Sequence, residues 1–270
     1  LDISVIIVSW NVTALLRDCL TSLYSSELDG RMLEIIVVDS ASSDGTPAMV
    51  KAEFPAVRLL EQTENVGYTR GNNIGLAAAN GRYLMLLNPD TTVSENTVAQ
   101  MSAYLDAHPG VGIVGPRTLN GDGTHQPSRW RFPSRRLAFM ETAWLRSYAQ
   151  RMLADYEYAD ISADAIHEAD WVQGSCLMAR REVYESIGGL DTGYVMFFEE
   201  MDWCKRAADA GFSTLYLGYA QIVHYGGAST DQIGARKHIY YNESKLRYFR
   251  KVYGSGFAWM LRIFLLAVYG

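Results

Sequence analysis

None of the three cysteines in this chain has a partner in sequence. Cys19, Cys176 and Cys204 are odd in number, far apart and set in apolar or helical surroundings. No Cys-x-x-Cys pair and no His/Cys cluster occurs, which excludes a disulfide framework and a structural zinc site and points to a reduced, cytosolic compartment. The first strand is followed by Trp10-Asn11-Val12-Thr13, with no glycine, so the dinucleotide fingerprint expected at that turn is missing. A P-loop is missing too, and dehydrogenase and NTPase readings fall with them. Internal repeats and low-complexity segments are lacking. No signal peptide is expected, because a strand starts directly after Leu1; the native start is expected to have been trimmed. The longest late apolar stretch, Phe257–Tyr269, is interrupted by Arg262 and falls short of the roughly 20 residues a membrane span requires.

What is present is a large apolar fraction, 49% of 270 residues, enough for one big domain or a domain with an appendage. The charge is uneven. The whole chain carries −6, yet residues 231–270 hold seven Lys/Arg against Asp231 and Glu243, a net +5, and residues 1–230 therefore carry −11. An acidic body argues against nucleic acid as the partner. A basic tail argues for an anionic contact at one end.

The pattern predicts alternating strands and helices. Buried strands are expected at Ile3–Ser9, Leu33–Val38, Val57–Leu60 and Tyr83–Leu87, with a short one at Val111–Gly115. Helices are expected after Asn11 and Thr13, from Pro47, up to Ala79, and from about Ser94 to Ala107, where His108-Pro109-Gly110 ends the last of these. Such alternation implies right-handed crossovers and a mostly parallel sheet flanked by helices, an α/β fold. From Arg117 to Asp170 the pattern breaks into an irregular insert in which Arg129, Arg131, Arg135 and Arg136 interleave with Trp130, Phe132 and Pro133. Regular structure resumes with Trp171–Ala179, a helix near Arg181–Ile187, another after Glu199 ending near Gly211, and a strand at Thr214–Leu217.

Three carboxylate-bearing loops follow apolar runs: Asp39/Asp44, Asp90, and Glu199/Glu200/Asp202. Asn88-Pro89-Asp90 ends its strand abruptly, since proline cannot donate to a ladder, and Asp90 projects beyond the carboxyl end, the edge where open α/β sheets bind ligands. A hard cation such as Mg²⁺ or Mn²⁺ needs more oxygen ligands than Asp90 alone supplies, so a diphosphate would have to complete it; a nitrogen from His224 would favour Mn²⁺. Each of these residues also has a plainer reading. Asp39 and Asp44 suit an Asx turn and a helix cap, Asn72 and Asn73 a cap, the three acidic residues a helix start, and His224 a structural contact. Glu199 and Glu200 beside Phe197, Phe198 and Trp203 fit the plain reading less well, because apolar surroundings raise a carboxyl toward the strength of a useful base.

Taken together, Val-Ser-Trp-Asn, Val-Val-Asp-Ser-Ala-Ser-Ser-Asp-Gly-Thr, Asn-Val-Gly-Tyr-Thr-Arg-Gly-Asn-Asn-Ile-Gly, Asn-Pro-Asp, Gly-Gly-Leu-Asp, Phe-Phe-Glu-Glu-Met-Asp-Trp-Cys and His-Tyr-Gly-Gly-Ala-Ser span residues 3–230. In that order they resemble a family 2 glycosyltransferase of the GT-A fold, most closely its bacterial rhamnosyltransferase branch. The resemblance implies inverting transfer of a sugar from a nucleotide-diphosphate donor to an acceptor hydroxyl. It places Ser9, Asp39 and Ser40 at the nucleoside and Asp90 as the last acid of the family's Asp-X-Asp, with Asn88 in place of the first. Glu200 stands where the catalytic base lies, and His224 matches a histidine that joins the metal or diphosphate. Arg70 and Asn72 are further donor-side candidates, Glu199 and Asp202 supporting residues. Arg129, Trp130, Arg131, Trp171 and Gly174 are acceptor candidates.

The expected organisation is a catalytic domain over residues 1–230, with a nucleotide-sugar half (1–116) and an acceptor half (117–230), and a basic amphipathic extension over 231–270. dTDP-L-rhamnose is the leading donor and Mg²⁺ or Mn²⁺ the cofactor. The expected acceptor is a glycan or lipid-linked glycan, met peripherally at the inner face of the cell membrane, in cell-wall or surface polysaccharide synthesis. The alternatives are a UDP-galactofuranose or UDP-hexose transferase, and a catalytically silent module that binds glycan or membrane.

Overall fold

The computed structural model describes residues 1–142, 145–226, 234 and 236–269. Gly227, Ala228 and Ser229 of the His-Tyr-Gly-Gly-Ala-Ser motif, and Asp231 of the charge count, lie outside the described residues. The first half runs β1 (Ile3–Ser9), α1 (Thr13–Tyr24), β2 (Leu33–Asp39), α2 (Thr46–Glu53), β3 (Arg58–Glu61), α3 (Gly67–Ala78), β4 (Tyr83–Leu87), β5 (Thr91–Val93) and α4 (Thr97–Ala107). Then come β6 (Val111–Leu119), β7 (His125–Gln126), β8 (Arg129–Trp130), α5 (Leu137–Met140), α6 (Gln150–Tyr156), β9 (Ile166–Glu168), β10 (Trp171–Val172), β11 (Cys176–Arg180), α7 (Arg181–Ile187), α8 (Glu199–Asp209), β12 (Ser213–His224), α9 (Arg236–Tyr253) and α10 (Ser255–Tyr269).

Among the described residues the main sheet orders its strands β3-β2-β1-β4-β11-β6-β12-β5, with β7 on β6 and β9 on β12. β1 to β4 are parallel, β11 runs against both β4 and β6, and β12 is parallel to β6. This is the expected mixed, largely parallel sheet. The chain leaves β1 toward β2 and β3 on one side and returns to β4 on the other, so the strand order reverses between β1 and β4. A crevice opens outside the carboxyl ends of strands at such a switch point.

Alternation along β1 feeds two cores. Ile3, Val5 and Ile7 pack with Leu16, Leu20, Val98 and Met101 on one face, while Ile6 and Val8 pack with Leu76, Leu177 and Trp203 on the other. Both faces are apolar, which is why β1 reads as an unbroken apolar run. α3 lies close against β1 because Gly71 and Gly75 face it. A Cβ at Gly75 would come 2.2 Å from Ile6 Cγ2, and one at Gly71 would come 2.7 Å from Val8 Cγ1.

The structure differs from the sequence expectation in several places. β6 continues to Leu119 through Pro116, which faces a register shift in β12, where an irregularity tolerates proline. The expected strand at Thr214–Leu217 extends to His224 past that same shift. β5 was not expected, and α4 accordingly starts at Thr97 rather than near Ser94. The single strand expected over Trp171–Ala179 breaks at Gln173–Ser175 into β10 and β11. The insert is more ordered than its composition suggests: β8 pairs with β10, and Trp130 stacks on Trp171 at 4.3 Å.

The last two helices join the core of the main body. Tyr248 and Phe249 of α9 and Leu261 and Leu265 of α10 are buried in the same cluster as Ile6 and Trp203. Phe139 of α5 meets Phe264 edge-on at 5.0 Å. Arg247 and Lys251 of α9 grip Asp191 at 2.8 and 2.9 Å, and Lys251 also bonds Asp202. No helix among the described residues is long and apolar enough to cross a membrane.

Candidate active site

The carboxyl ends of β1, β2 and β4 stand level. Ser9 pairs with Asp39 in register, and Ile7 pairs with both Val37 and Leu87, so Ser9, Asp39 and Asn88-Pro89-Asp90 share one edge at the switch point. Ser9 is fully buried and Asp39 is 2% exposed, yet Ser9 Oγ and Asp39 Oδ1 have no hydrogen-bond partner among the described residues. The other Asp39 oxygen accepts the Ser42 amide at 2.9 Å. Buried polar atoms normally find partners, and two orphans at one sheet edge leave hydrogen-bonding capacity that a bound ligand could take up. Ser40 is engaged within the protein instead: its hydroxyl donates to Asn65 Oδ1 at 3.0 Å and accepts the Val66 amide at 2.8 Å. Asp44 takes its plainer reading. Burial opposes its ionisation, but hydrogen bonds from the Thr46 hydroxyl and the Thr13 amide hold its carboxyl down at about 2.

Asp90 is brought to His224 by a pairing the sequence did not reveal. β5 runs antiparallel to the end of β12, setting His224 opposite Thr91, and the Tyr225 amide donates to the Asp90 carbonyl at 3.0 Å. His224 Nε2 lies 3.3 Å from Asp90 Oδ1, and that oxygen is otherwise unpartnered and buried. The far ring nitrogen, Nδ1, is 2.8 Å from Gln126 Oε1. Gln126 Nε2 donates to Asn120 Oδ1 at 2.8 Å, which turns the amide oxygen toward the ring. The imidazole therefore donates through Nδ1 and presents Nε2 to Asp90. A cation bound at this place would be met by both Nε2 and the Asp90 carboxylate. No group of three or more His, Cys, Asp or Glu among the described residues could hold a metal alone. Asp90 and His224 fit a divalent ion whose remaining ligands come from a bound phosphate group.

Glu199 and Glu200 open α8. The residues before them, Phe197 and Phe198, both have a φ of +68°, a conformation that bulky side chains rarely adopt and that is strained by about 1–3 kcal/mol each. Glu200 Oε1 accepts the Gly174 amide at 3.3 Å across the break between β10 and β11, and Oε2 is unpartnered among the described residues. Burial pushes Glu200 above the usual carboxylate range, opposed by backbone amides at Glu200, Gly174 and Met201. Burial, and then the neighbouring Glu200 charge, push Glu199 well above it. Burial thus favours the protonated form of both carboxyls, and the Glu200 charge adds to that at Glu199. Tyr68, in the first turn of α3, donates to the Gly174 carbonyl at 2.9 Å. Its phenol is pushed well above its ordinary value by burial and by the neighbouring acidic groups Glu199, Glu200 and Asp90. The Asn88 amide donates to the Ser175 carbonyl at 2.9 Å, so the end of β4 meets the same break whose Gly174 bonds Tyr68 and Glu200.

The glycosyl transferase family 2 profile matches residues 4–188, well over half of the sequence. The chain belongs to glycosyl transferase family 2. This glycosyltransferase is 27% identical over 220 residues to the N-acetylglucosaminyl-diphospho-decaprenol L-rhamnosyltransferase of Mycobacterium tuberculosis, a match covering 74% of this chain and 69% of that one. It is thus a rhamnosyltransferase-like member. Its fold is GT-A-like. The mannosyltransferase PcManGT of Pyrobaculum calidifontis, solved with GDP-Man and Mn²⁺, superposes with a TM-score of 0.59 at 19% identity, over 98% of this chain and 74% of that one. GalNAc-T7, solved with UDP, GalNAc and Mn²⁺, superposes with a TM-score of 0.62 at 17% identity; this chain spans 44% of its length and 83% of itself is covered.

The remaining candidates of the glycosyltransferase separate into those near the crevice and those held elsewhere. Arg70 is exposed in the first turn of α3, two residues after Tyr68, with no ion-pair partner among the described residues. Asn72 is buried and donates to the Tyr68 carbonyl at 3.1 Å, so it steadies the turn that carries Tyr68. Asn88 presents a buried, unpartnered Oδ1 beside Asp90. Asp202, two residues beyond Glu200 and so on another face of α8, is taken up by Tyr194, Arg206 and Lys251. Arg129 is 4% exposed, lies over the Tyr216 ring at 4.2 Å and donates to the Ile161 carbonyl at 2.7 Å. Arg131 lies over Tyr158 and pairs with Asp155 at 3.2 Å. Both arginines hold the insert together, while Gly174 and Trp171 stand beside Glu200. Tyr68 and Gln126 act in the crevice without having been singled out; no local pattern marks either, because their partners come from distant strands.

Proposed function

We propose that this glycosyltransferase is metal-dependent and inverting, takes a nucleotide-diphosphate sugar with dTDP-L-rhamnose as the leading donor, and delivers the sugar to a hydroxyl of a glycan or lipid-linked glycan in surface polysaccharide synthesis. The observation that carries this reading is that the Asp90–His224 pair and Glu200 flank the same break, where Asn88 bonds the Ser175 carbonyl and Gly174 bonds Glu200. The rhamnosyl donor is supported by the similarity to the mycobacterial rhamnosyltransferase, and the metal by the Mn²⁺ in the two solved neighbours.

Ser9, Asp39 and Asn88 offer the donor polar atoms that have no partner among the described residues. A divalent ion held by Asp90 and His224 would offset the negative charge of the departing diphosphate. Glu200 accepts the proton of the acceptor hydroxyl as its oxygen bonds to the anomeric carbon, and the bond from that carbon to the diphosphate breaks with its electron pair leaving on phosphate. Burial and then the Glu200 charge favour the protonated form of Glu199, which limits the negative charge beside the base. Arg70 lies at the rim, where an anionic diphosphate would meet it. Peripheral contact with an anionic membrane surface is supported by α10, which shows Trp259, Met260, Ile263 and Leu266 to solvent on a chain end of net +5.

The test is a panel of nucleotide sugars assayed for nucleotide release and thermal shift with Mg²⁺, Mn²⁺ or EDTA. dTDP-rhamnose should give the largest stabilisation, and EDTA should abolish release. Turnover unaffected by EDTA would remove the metal, and no response to any donor would remove the enzyme reading.

A further inference from the structure

Two bulky residues in the left-handed region lead straight into α8. Phe197 and Phe198, each at a φ of +68°, precede Glu199 and Glu200. Such strain persists only where neighbouring structure over-determines it, and it gathers where a functional geometry has to be held. The family profile ends at residue 188, so this turn and the helix packed on it both lie outside the matched residues.

That helix is α9. Tyr241, Ser244, Tyr248 and Lys251 are spaced three, four and three residues apart, which puts them on one face of it. All four meet the segment from Met196 to Asp202. Ser244 is 4% exposed and donates its hydroxyl to the Met196 carbonyl at 2.7 Å, directly before the strained pair. The Tyr241 ring lies 5.7 Å from Phe197 and 5.4 Å from Phe198, and the Tyr248 ring lies 5.7 Å from Phe198. Lys251 bonds Asp202, two residues beyond Glu200, and reaches Asp191 at 2.9 Å. One helix face thus takes hold on both sides of Glu200. The chain is also held earlier, where Thr69 of α3 donates to the Tyr194 carbonyl at 2.8 Å.

The bond from Lys251 is more than Asp202 needs for stability alone. Asp202 already accepts from Arg206 at 2.9 Å and from the Tyr194 hydroxyl at 3.2 Å, so its charge is met without a second cation. A buried ion pair seldom adds net stability over apolar residues of similar volume, whereas its directed bonds fix where two elements stand. We infer that α9 is the clamp that sets Glu200 in place, with Ser244 and Lys251 as its positioning residues. Ser244 fixes the carbonyl before the strained turn, and Lys251 fixes the first turn of the helix after it. The inference rests on Glu200 as the base, as read above. A base has to lie within hydrogen-bond reach of the proton it takes, and a misplacement of about 1 Å can cost about 10²-fold in rate. The basic C-terminal segment is then part of the transfer machinery, with Arg247 and Lys251 directed at carboxylates of the main body.

The test compares Ser244→Ala, Lys251→Met and Lys251→Arg in the whole chain. Lys251→Met keeps the apolar stem, and Asp202 keeps Arg206 and Tyr194, so no buried charge is left alone. Hydrogen exchange of the peptide spanning 196–202 should run about tenfold faster or more in Ser244→Ala and Lys251→Met. Exchange in β1 should change less than about twofold, and Lys251→Arg should restore most of the protection. Nucleotide release is then followed with dTDP-L-rhamnose, or with whichever donor of the panel releases most. Both variants should lose about 10- to 100-fold in kcat, while the donor KM and dTDP affinity move less than about twofold. On a Glu200→Gln background the same substitutions should cost less than about twofold more, because a residue that acts through the base has nothing left to position. Unchanged exchange at 196–202 would overturn the clamp. Faster exchange with unchanged kcat, or an undiminished loss on the Glu200→Gln background, would overturn the positioning role. Parental release by Glu200→Gln would remove the base and with it the catalytic part of the inference, while the exchange result would still decide whether α9 holds the turn.

Discussion

His224 Nδ1 sits 2.8 Å from Gln126 Oε1, and this contact decides which nitrogen His224 offers to Asp90. Gln126 is itself oriented by Asn120, so two side chains of the β6–β7 hairpin set the imidazole.

Removing that support should weaken the metal without touching either ligand. Outer partners of metal-bound histidines are typically worth about 10–100-fold in affinity. Gln126→Ala is expected to raise the Mn²⁺ dissociation constant, measured by electron paramagnetic resonance in the presence of dTDP, by about tenfold. Unchanged Mn²⁺ affinity would show that the ring orients itself.

Glu200→Gln should keep donor binding and lose transfer by about 10²-fold or more, the usual contribution of a positioned base. The parent's rate should also fall with acid at a pH above the ordinary glutamate value of about 4.3, since burial raises Glu200. Steady-state rates from pH 4.5 to 9 check both. Parental rates in the variant would move the base elsewhere.

Glu199 bears on stability as well. A carboxyl raised by folding binds its proton more tightly in the folded chain, so its contribution is complete below the unfolded value and is lost as pH climbs through the folded one. Glu199→Gln cannot ionise. Its melting temperature should exceed the parent's at pH 8, with the margin shrinking at pH 5. A margin independent of pH would mean Glu199 is not protonated by burial.

Gly75 tests the packing that positions the first turn of α3 and hence Tyr68. Gly75→Ala drives a methyl into Ile6, an overpacking that typically costs about 1–3 kcal/mol. Urea denaturation should show that loss, and Gly75→Ala should cost less when made on an Ile6→Ala background, which lacks the Cγ2 that the methyl meets. A neutral single variant would mean that α3 can shift away from β1 freely.

Much of this protein was determined by local sequence. The unbroken apolar runs of β1, β2 and β4 specify strands buried on both faces, and the turns after them specify a sheet edge carrying Ser9, Asp39 and Asp90. Glu199 and Glu200 stood out because charged residues next to Phe197, Phe198 and Trp203 conflict with their surroundings. Tertiary structure alone decided the rest, because it depends on contacts between residues far apart in the chain. The pairing of β5 with β12 joins His224 to Asp90, and the break at Gly174 places an amide on Glu200. Asp202 and Arg129 looked like site residues from composition, but folding commits the first to Lys251 and the second to Tyr216 and the Ile161 carbonyl. A carboxylate or guanidinium shows its charge in the sequence, but whether that charge is already satisfied depends on which partners the fold brings to it.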